Sequence, residues 1–255
     1  GEGTIDMNCD NQTGFSYTQL DGSTGARFTC YNGAFDLIEV SGLKIINTHA
    51  NSVISYGDAQ EPLFGGHVIY RDIYCENFGE GPEIDVCRRS EMHDMMAVVT
   101  DNLAGDIFEQ VNCDDTLHVN CTVRHQIPGN MTPTSGSAID VGGSLRSRIY
   151  NLKVSGIRTA FEGVTTITVN PGTPRRNEYL EVYGCTVEDM DESGAIFPGE
   201  GNSIWYGLRL INCAVGINFR RQLDSSPVQK HVFYSPYIYG GSPILCNGDP
   251  EVILY

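Results

Sequence analysis

Apolar and polar residues alternate along this chain in short bursts, and the bursts share one phrase. Two or three alternating apolar residues are followed by Gly or Asn, then Leu or Cys, then a polar residue, then Ile or Val. The copies are "LIEVSGLKI" (37–45), "LHVNCTV" (117–123), "IYNLKV" (149–154), "LEVYGCTV" (180–187) and "LRLINCAV" (208–215), with "IYRDIYC" (69–75) a looser one. Alternation this short, bounded by turn formers, predicts strands. No long stretch keeps helical spacing. A second phrase follows each first one after a short bend: "VISYG" (53–57), "EIDVC" (83–87), "IFEQV" (107–111), "AIDVG" (138–142), "AFEGV" (160–164), "AIFPG" (195–199), "GINFR" (216–220) and "PILCN" (243–247).

The apolar anchors of the second phrases are Ile54, Ile84, Phe108, Ile139, Phe161, Ile196, Ile217 and Ile244, separated by 30, 24, 31, 22, 35, 21 and 27 residues. A floor near 21 with longer excursions marks a coil of fixed length that carries loop insertions. The expectation is an all-β chain, a right-handed parallel β-helix (solenoid) of about eight coils, with residues 1–255 as one domain. A β-sandwich would need paired hairpin turns, which the turn residues here do not form.

The same register sorts the cysteines. One inward column reads Leu43, Ile73, Cys121, Leu152, Cys185, Cys213, and the next reads Ile45, Cys75, Val123, Val154, Val187, Val215. Cysteine here alternates with Leu, Ile and Val as a small core hydrophobe. The total of nine is odd and no zinc spacing appears, so the expectation is free, buried thiols and folding in a reducing compartment.

The residue after each anchor points the other way. That outward column reads Ser55, Asp85, Glu109, Asp140, Glu162, Phe197, Asn218, Leu245. Four consecutive coils thus place a carboxylate on one solvent-facing column, with neighbours about 5 Å and alternate members about 10 Å apart. Like charges at that spacing raise at least one pKa. Paired carboxylates suit glycoside cleavage, one as proton donor and one as nucleophile or base. They also suit Ca²⁺ through oxygen ligands, or they form a solvated acidic face. The candidate catalytic residues are Asp140, Glu162, Glu109 and Asp85. Arg158, Asn218, Arg220 and Phe197 are the candidate substrate-binding residues, since aromatic faces stack on sugars and amide and guanidinium groups bond hydroxyls. No obligatory cofactor or metal is expected.

Net charge narrows the partners. The formal charge is −16, with 16 Lys plus Arg against 32 Asp plus Glu. A phosphate backbone would be repelled, so no nucleic-acid partner is expected. No run of about 18 apolar residues exists, so no membrane span is expected. The start "GEGTIDMNCD" lacks the basic and apolar regions of a signal peptide. "GEGTID" begins on a strand-like phrase and "EVILY" stops on one, as in a piece of a longer chain. His118 and His125 flank "VNCTV" and are expected at the surface, while Trp205 fits either a sugar platform or the core.

"GTIDMN" (3–8) and "LIEVSGLKIINTHANSVIS" (37–55) resemble the pectin-lyase-like parallel β-helix superfamily, especially bacteriophage tailspike depolymerases and, more loosely, polygalacturonase-type glycoside hydrolases. The polygalacturonase motifs match in part. "GPEID" (81–85) has Pro82 at the position of a catalytic aspartate, "AGDIF" (104–108) offers Asp106 without a second aspartate, "SGSAID" (135–140) lacks the histidine, and "GIRTAF" (156–161) keeps Arg158 without the lysine. The resemblance implies an endo-acting depolymerase of bacterial polysaccharide or oligosaccharide, in a homotrimeric phage virion tail assembled in the bacterial cytoplasm. The alternatives are a non-catalytic glycan-binding or structural β-helix, and a secreted polysaccharide lyase or hydrolase.

Overall fold

A computed structural model describes residues 5–6, 15–16, 28–30, 37–48, 54–56, 65–100, 105–129, 136–164, 177–190, 196–197, 201–220, 229–240, 244–247 and 251–255. Every regular element among them is a strand. The strands fall into three sheets, of ten, eight and ten strands. The chain visits them in rotation. Leu37–Ser41 lies in the first sheet, Lys44–Thr48 in the second and Ile54–Tyr56 in the third, and Gly65–Arg71 then returns to the first beside Leu37–Ser41. Each passage through the three sheets is called a round below. Successive rounds stack in parallel, an arrangement consistent with a β-helix solenoid. The described antiparallel pairs are near the start: Ile5–Asp6 against Leu37–Ser41, and Phe15–Ser16 against Phe28–Cys30.

Side-chain alternation sends one residue type inward. In the second sheet the inner column runs Ile45, Cys75, Ala97, Val123, Val154, Val187, Leu210, Ile238. Its members from Cys75 to Leu210 are buried. Each buried aliphatic residue contributes roughly 1.5–3 kcal/mol. Trp205 is also core: its ring stacks 5.8 Å from Phe233, and its Nε1 donates to Ser203 Oγ at 2.7 Å.

The shared sequence phrase has a conformational cause. Between the first and second sheets the chain turns on one residue of positive φ: Gly42, Asp72, Asp94, Asn120, Asn151, Gly184, Gly207 and Ser235. Asn, Asp and Gly tolerate that left-handed conformation best. The next residue then points inward, and Ile73, Met95, Cys121, Leu152, Cys185 and Leu208 are all buried there. Each turning amide donates to the following round, Asn120 to Tyr150 O at 2.9 Å and Asn151 to Tyr183 O at 2.8 Å.

Two placements read from the sequence change. Cys213 follows Asn212 at the next corner, between the second and third sheets, and Leu208 holds the column assigned to it. Likewise Leu210 stands where Val215 was expected, and Ala97 adds a round that the phrase missed because Met96 and Ala97 stand where it has a polar residue and Ile or Val. Cys75, Cys87, Cys113, Cys121, Cys185 and Cys213 are free and buried; Cys9, Cys30 and Cys246 lie outside the residues whose side chains are described.

Candidate functional site

The outer face of the third sheet carries the acidic column. Glu109, Asp140 and Glu162 are register partners on the adjacent strands Phe108–Val111, Ser137–Gly142 and Thr159–Val164. Phe197 follows Glu162, and Asn218 pairs with Leu245. The column differs from the expected one at Asp85. Glu109 pairs with Glu83, and Asp85 lies opposite Val111. The pattern of inward and outward positions repeats every two residues, so a two-residue slip leaves the alternation of "EID" unchanged and is invisible to it. Asp85 still faces the same side, beside the column rather than in it.

A second set of carboxylates arrives from the turn before each of these strands. Gly81 N donates to Asp106 O at 2.9 Å, Gly105 N to Gly79 O at 3.0 Å, and Ile107 N to Ser137 O at 2.9 Å. The turns approach so closely that a Cβ on Gly81 would run into the Ile107 carbonyl, and one on Gly136 into the Gly105 carbonyl. This stacking sets Asp106 beside the column. Its Oδ1 accepts from Ser137 N at 2.7 Å, while Ser137 Oγ donates to Glu162 Oε2 at 2.9 Å. Glu80 leans over Gly105 from the previous round. Glu80 and Glu83 were not singled out by sequence, although both stand in one run, "GEGPEID", whose charge spacing is the signal.

Asp140 is not solvent-facing as the alternation implied, but only 8% exposed. Its side chain is one methylene shorter than those of its register partners, Glu109 and Glu162. Asp85 and Asn218 are buried as well. Desolvation penalises the charged form, and so do neighbouring anions. Burial first, then Asp106, Glu109 and Glu162, hold the Asp140 carboxyl well above the carboxylate range. Burial, then Glu83, does the same to Asp85. Burial, followed by Glu83, Asp106 and Glu80, pushes Glu109 up to about 8. Asp106 is also raised by burial, against the opposing bond from Ser137 N. Protonation is thus favoured on this face, most definitely at Glu109, whose pKa lies above neutrality. Among the described residues, Asp140 Oδ1, Asp85 Oδ1 and Asn218 Oδ1 have no protein partner.

The remaining candidates are spread more widely. Arg158 is exposed, just before the strand that carries Glu162. Phe197 and Arg220 hold strand positions, but their side chains lie outside the described residues, as do those of Ser55 and Leu245. His118 and His125 are buried, not at the surface, because each points inward from its strand. "NCDD" (112–115) supplies an ion pair, Arg146 Nε to Asp115 Oδ1 at 2.6 Å. Among the described residues no group of three or more His, Cys, Asp or Glu is arranged to hold a metal ion. Among them, too, no helix is long and apolar enough to cross a membrane.

Two features mark the outer face of the first sheet. Glu91 is clamped by His67 Nε2 at 2.9 Å, His93 Nε2 at 2.6 Å and Arg89 Nε at 2.6 Å. Desolvation of Glu91 opposes its ionisation, but the His93 bond and the charges of Arg89 and His67 prevail and lower its pKa. Further along, Tyr150, Tyr183, Tyr206, Tyr234 and Tyr255 stack ring on ring, at centroid distances of 4.9, 4.9, 4.8 and 5.0 Å. Compared with protein-family models, with curated proteins and with solved structures, the chain matches none.

Proposed function

We propose that this chain is a right-handed β-helix of about eight coils whose third-sheet face hydrolyses glycosidic bonds in a bacterial surface polysaccharide. The observation that carries the reading is the register of Glu109, Asp140 and Glu162 on three adjacent strands. Glycoside hydrolysis needs one carboxyl that keeps its proton at working pH and one carboxylate that does not. Glu109, with its pKa pushed up to about 8, is the proton donor to the leaving oxygen. Glu162, oriented by Ser137 Oγ, is the base for water. Asp140, its pKa raised by burial and by the neighbouring carboxylates, lies between them and separates the two. Two strand spacings, about 10 Å of backbone, leave room for a water on the far side of the sugar. Asn218, two strands beyond Glu162, offers an unpartnered amide oxygen to a sugar hydroxyl.

The decisive experiment is reducing-end release from a panel of bacterial polysaccharides. The parent chain should cleave at least one, and Glu109→Gln or Glu162→Gln should lower the rate by a factor of roughly 100 or more while glycan binding persists. Full activity in both variants on a substrate that the parent cleaves would remove the acidic column as the active site. On the resemblance to tailspikes, the proposal extends to a parallel trimer in a phage tail, and a monomer by light scattering would remove that extension.

The tyrosine stack favours a second reading, a glycan-binding module without cleavage. Within the stack Tyr206 and Tyr234 are 37% and 36% exposed and present aromatic surface to a sugar. Binding to a polysaccharide with no reducing ends released distinguishes it.

A further inference from the structure

Polar side chains enter the core around one round, where Thr116 has Ser90 and Ser147 as its register partners. Gln110, on the third-sheet strand Phe108–Val111, and Thr116 and His118, on the next strand Asp115–Val119, are all fully buried. Their register partners in later rounds include Val141 for Gln110, Leu180 for the Thr116 column, and Ile149 and Val182 for His118. The three side chains enter the interior from consecutive strands of the chain. At the matching positions four rounds on, Phe219 lies 4.5 Å from His231 and 6.2 Å from Phe233 by ring centroids.

Among the described residues, none of their polar side-chain atoms has a protein partner. The Gln110 amide oxygen and nitrogen, the Thr116 hydroxyl and both His118 ring nitrogens are bare, and so is the hydroxyl of Ser147, the register neighbour of Thr116. Buried amide, hydroxyl and imidazole groups left unbonded are costly, and folded proteins satisfy such groups with ordered water. Cys121 is smaller than Met95 and Leu152, which flank it in its column, and Ser147 is smaller than Leu180, which follows it. The guest must be neutral, because the walls offer no compensating charge. Burial holds His118 neutral, pushing its pKa down to about 3, so the imidazole presents one donor and one acceptor.

We propose that this round encloses an internal water site, in which water bridges Gln110, Thr116, His118 and Ser147. With about three hydrogen bonds per buried water, the bare atoms call for about two molecules. The site lies on the inner side of the strand whose outer side carries Glu109, and it stands whether or not that outer face is catalytic.

Magnetic relaxation dispersion of solvent water on the intact chain tests it. The parent should show long-lived internal water, and the triple variant Gln110→Leu, Thr116→Val, His118→Leu should lose most of that signal. A second measurement does not depend on how the variant folds: an electron-density map of the parent chain. Solvent peaks within hydrogen-bond distance of Thr116 Oγ1 and the Gln110 amide support the site. A map in which amide, hydroxyl and imidazole bond directly to one another, with no solvent between them, overturns it, as does a parent chain without the dispersion.

Discussion

Glu109 stands opposite Glu83 on the neighbouring strand, and that pairing, not one with Asp85, sets its local field. Glu83 is the largest charge effect on Glu109 after burial. Glu83→Gln should therefore bring the Glu109 titration down from about 8 by about one pH unit, whereas Asp85→Asn should move it less. Carboxyl-carbon NMR titration of the two variants checks this, and equal shifts would restore the register read from the sequence.

Stability should fall as pH rises through the neutral range. Asp85, Glu109 and Asp140 keep protons in the folded chain that they lose near pH 4 when unfolded. Between those limits the native state binds more protons, so the stabilisation is complete below about pH 4 and is lost toward the folded pKa values. Each such proton contributes a slope of about 1.4 kcal/mol per pH unit. Asp140→Asn keeps the shape and removes one ionisation, so it should raise the melting temperature at pH 8 more than at pH 5. A variant equally or more strongly destabilised at pH 8 would contradict the assignment.

His118 and His231 act at the other end. Burial pushes their pKa values down to about 3 and about 4, so the unfolded chain binds more protons below about pH 6.5. The stability they contribute is present above that pH and lost as pH falls through it. His231→Gln should flatten the acid limb of a pH–stability curve, and an unchanged limb would show that His231 is not neutral in the folded state.

Gly81 holds the turns of the third sheet in contact. Gly81→Ala adds a Cβ where the Ile107 carbonyl lies, so the segment carrying Asp106 must shift. A cost of about 2–4 kcal/mol is expected, measurable by urea unfolding. Gly42→Ala meets no neighbour and carries only the positive-φ strain, so it should cost about 1 kcal/mol. Similar costs for the two would mean that the turns are not in contact.

Thiol chemistry should be slow. Burial pushes Cys75, Cys121 and Cys185 up to about 12, and the thiolate is the reactive form. A thiol reagent should label them only at the rate of unfolding, as followed by mass spectrometry of peptides. Prompt labelling of Cys121 in the folded chain would contradict its inward placement.

The strand phrases, the inward columns and the central trio Glu109, Asp140 and Glu162 were legible in the sequence because a period of two and a turn on Gly or Asn are local properties. What was not legible depends on the third dimension. Asp85 slipped by two residues, which a period of two cannot detect. Asp140 was read as exposed because alternation reports direction, whereas burial depends on what packs over a side chain in three dimensions. After Asp94, Met96 and Ala97 replace the polar residue and the Ile or Val of the phrase, and that round was passed over. His118 looked like surface on residue type alone, yet it shares the interior with Gln110 and Thr116.

The five stacked tyrosines have an optical consequence. Rings held nearly parallel, with interplanar angles of 5 to 9° and centroids about 5 Å apart, couple as chromophores only while each neighbour stays in place. Tyr150 to Tyr255 each belong to a different round, so fraying from the Tyr255 end would uncouple the rings in sequence. The near-ultraviolet circular dichroism of the chain then works as a gauge of how many rounds remain wound, read without any added label.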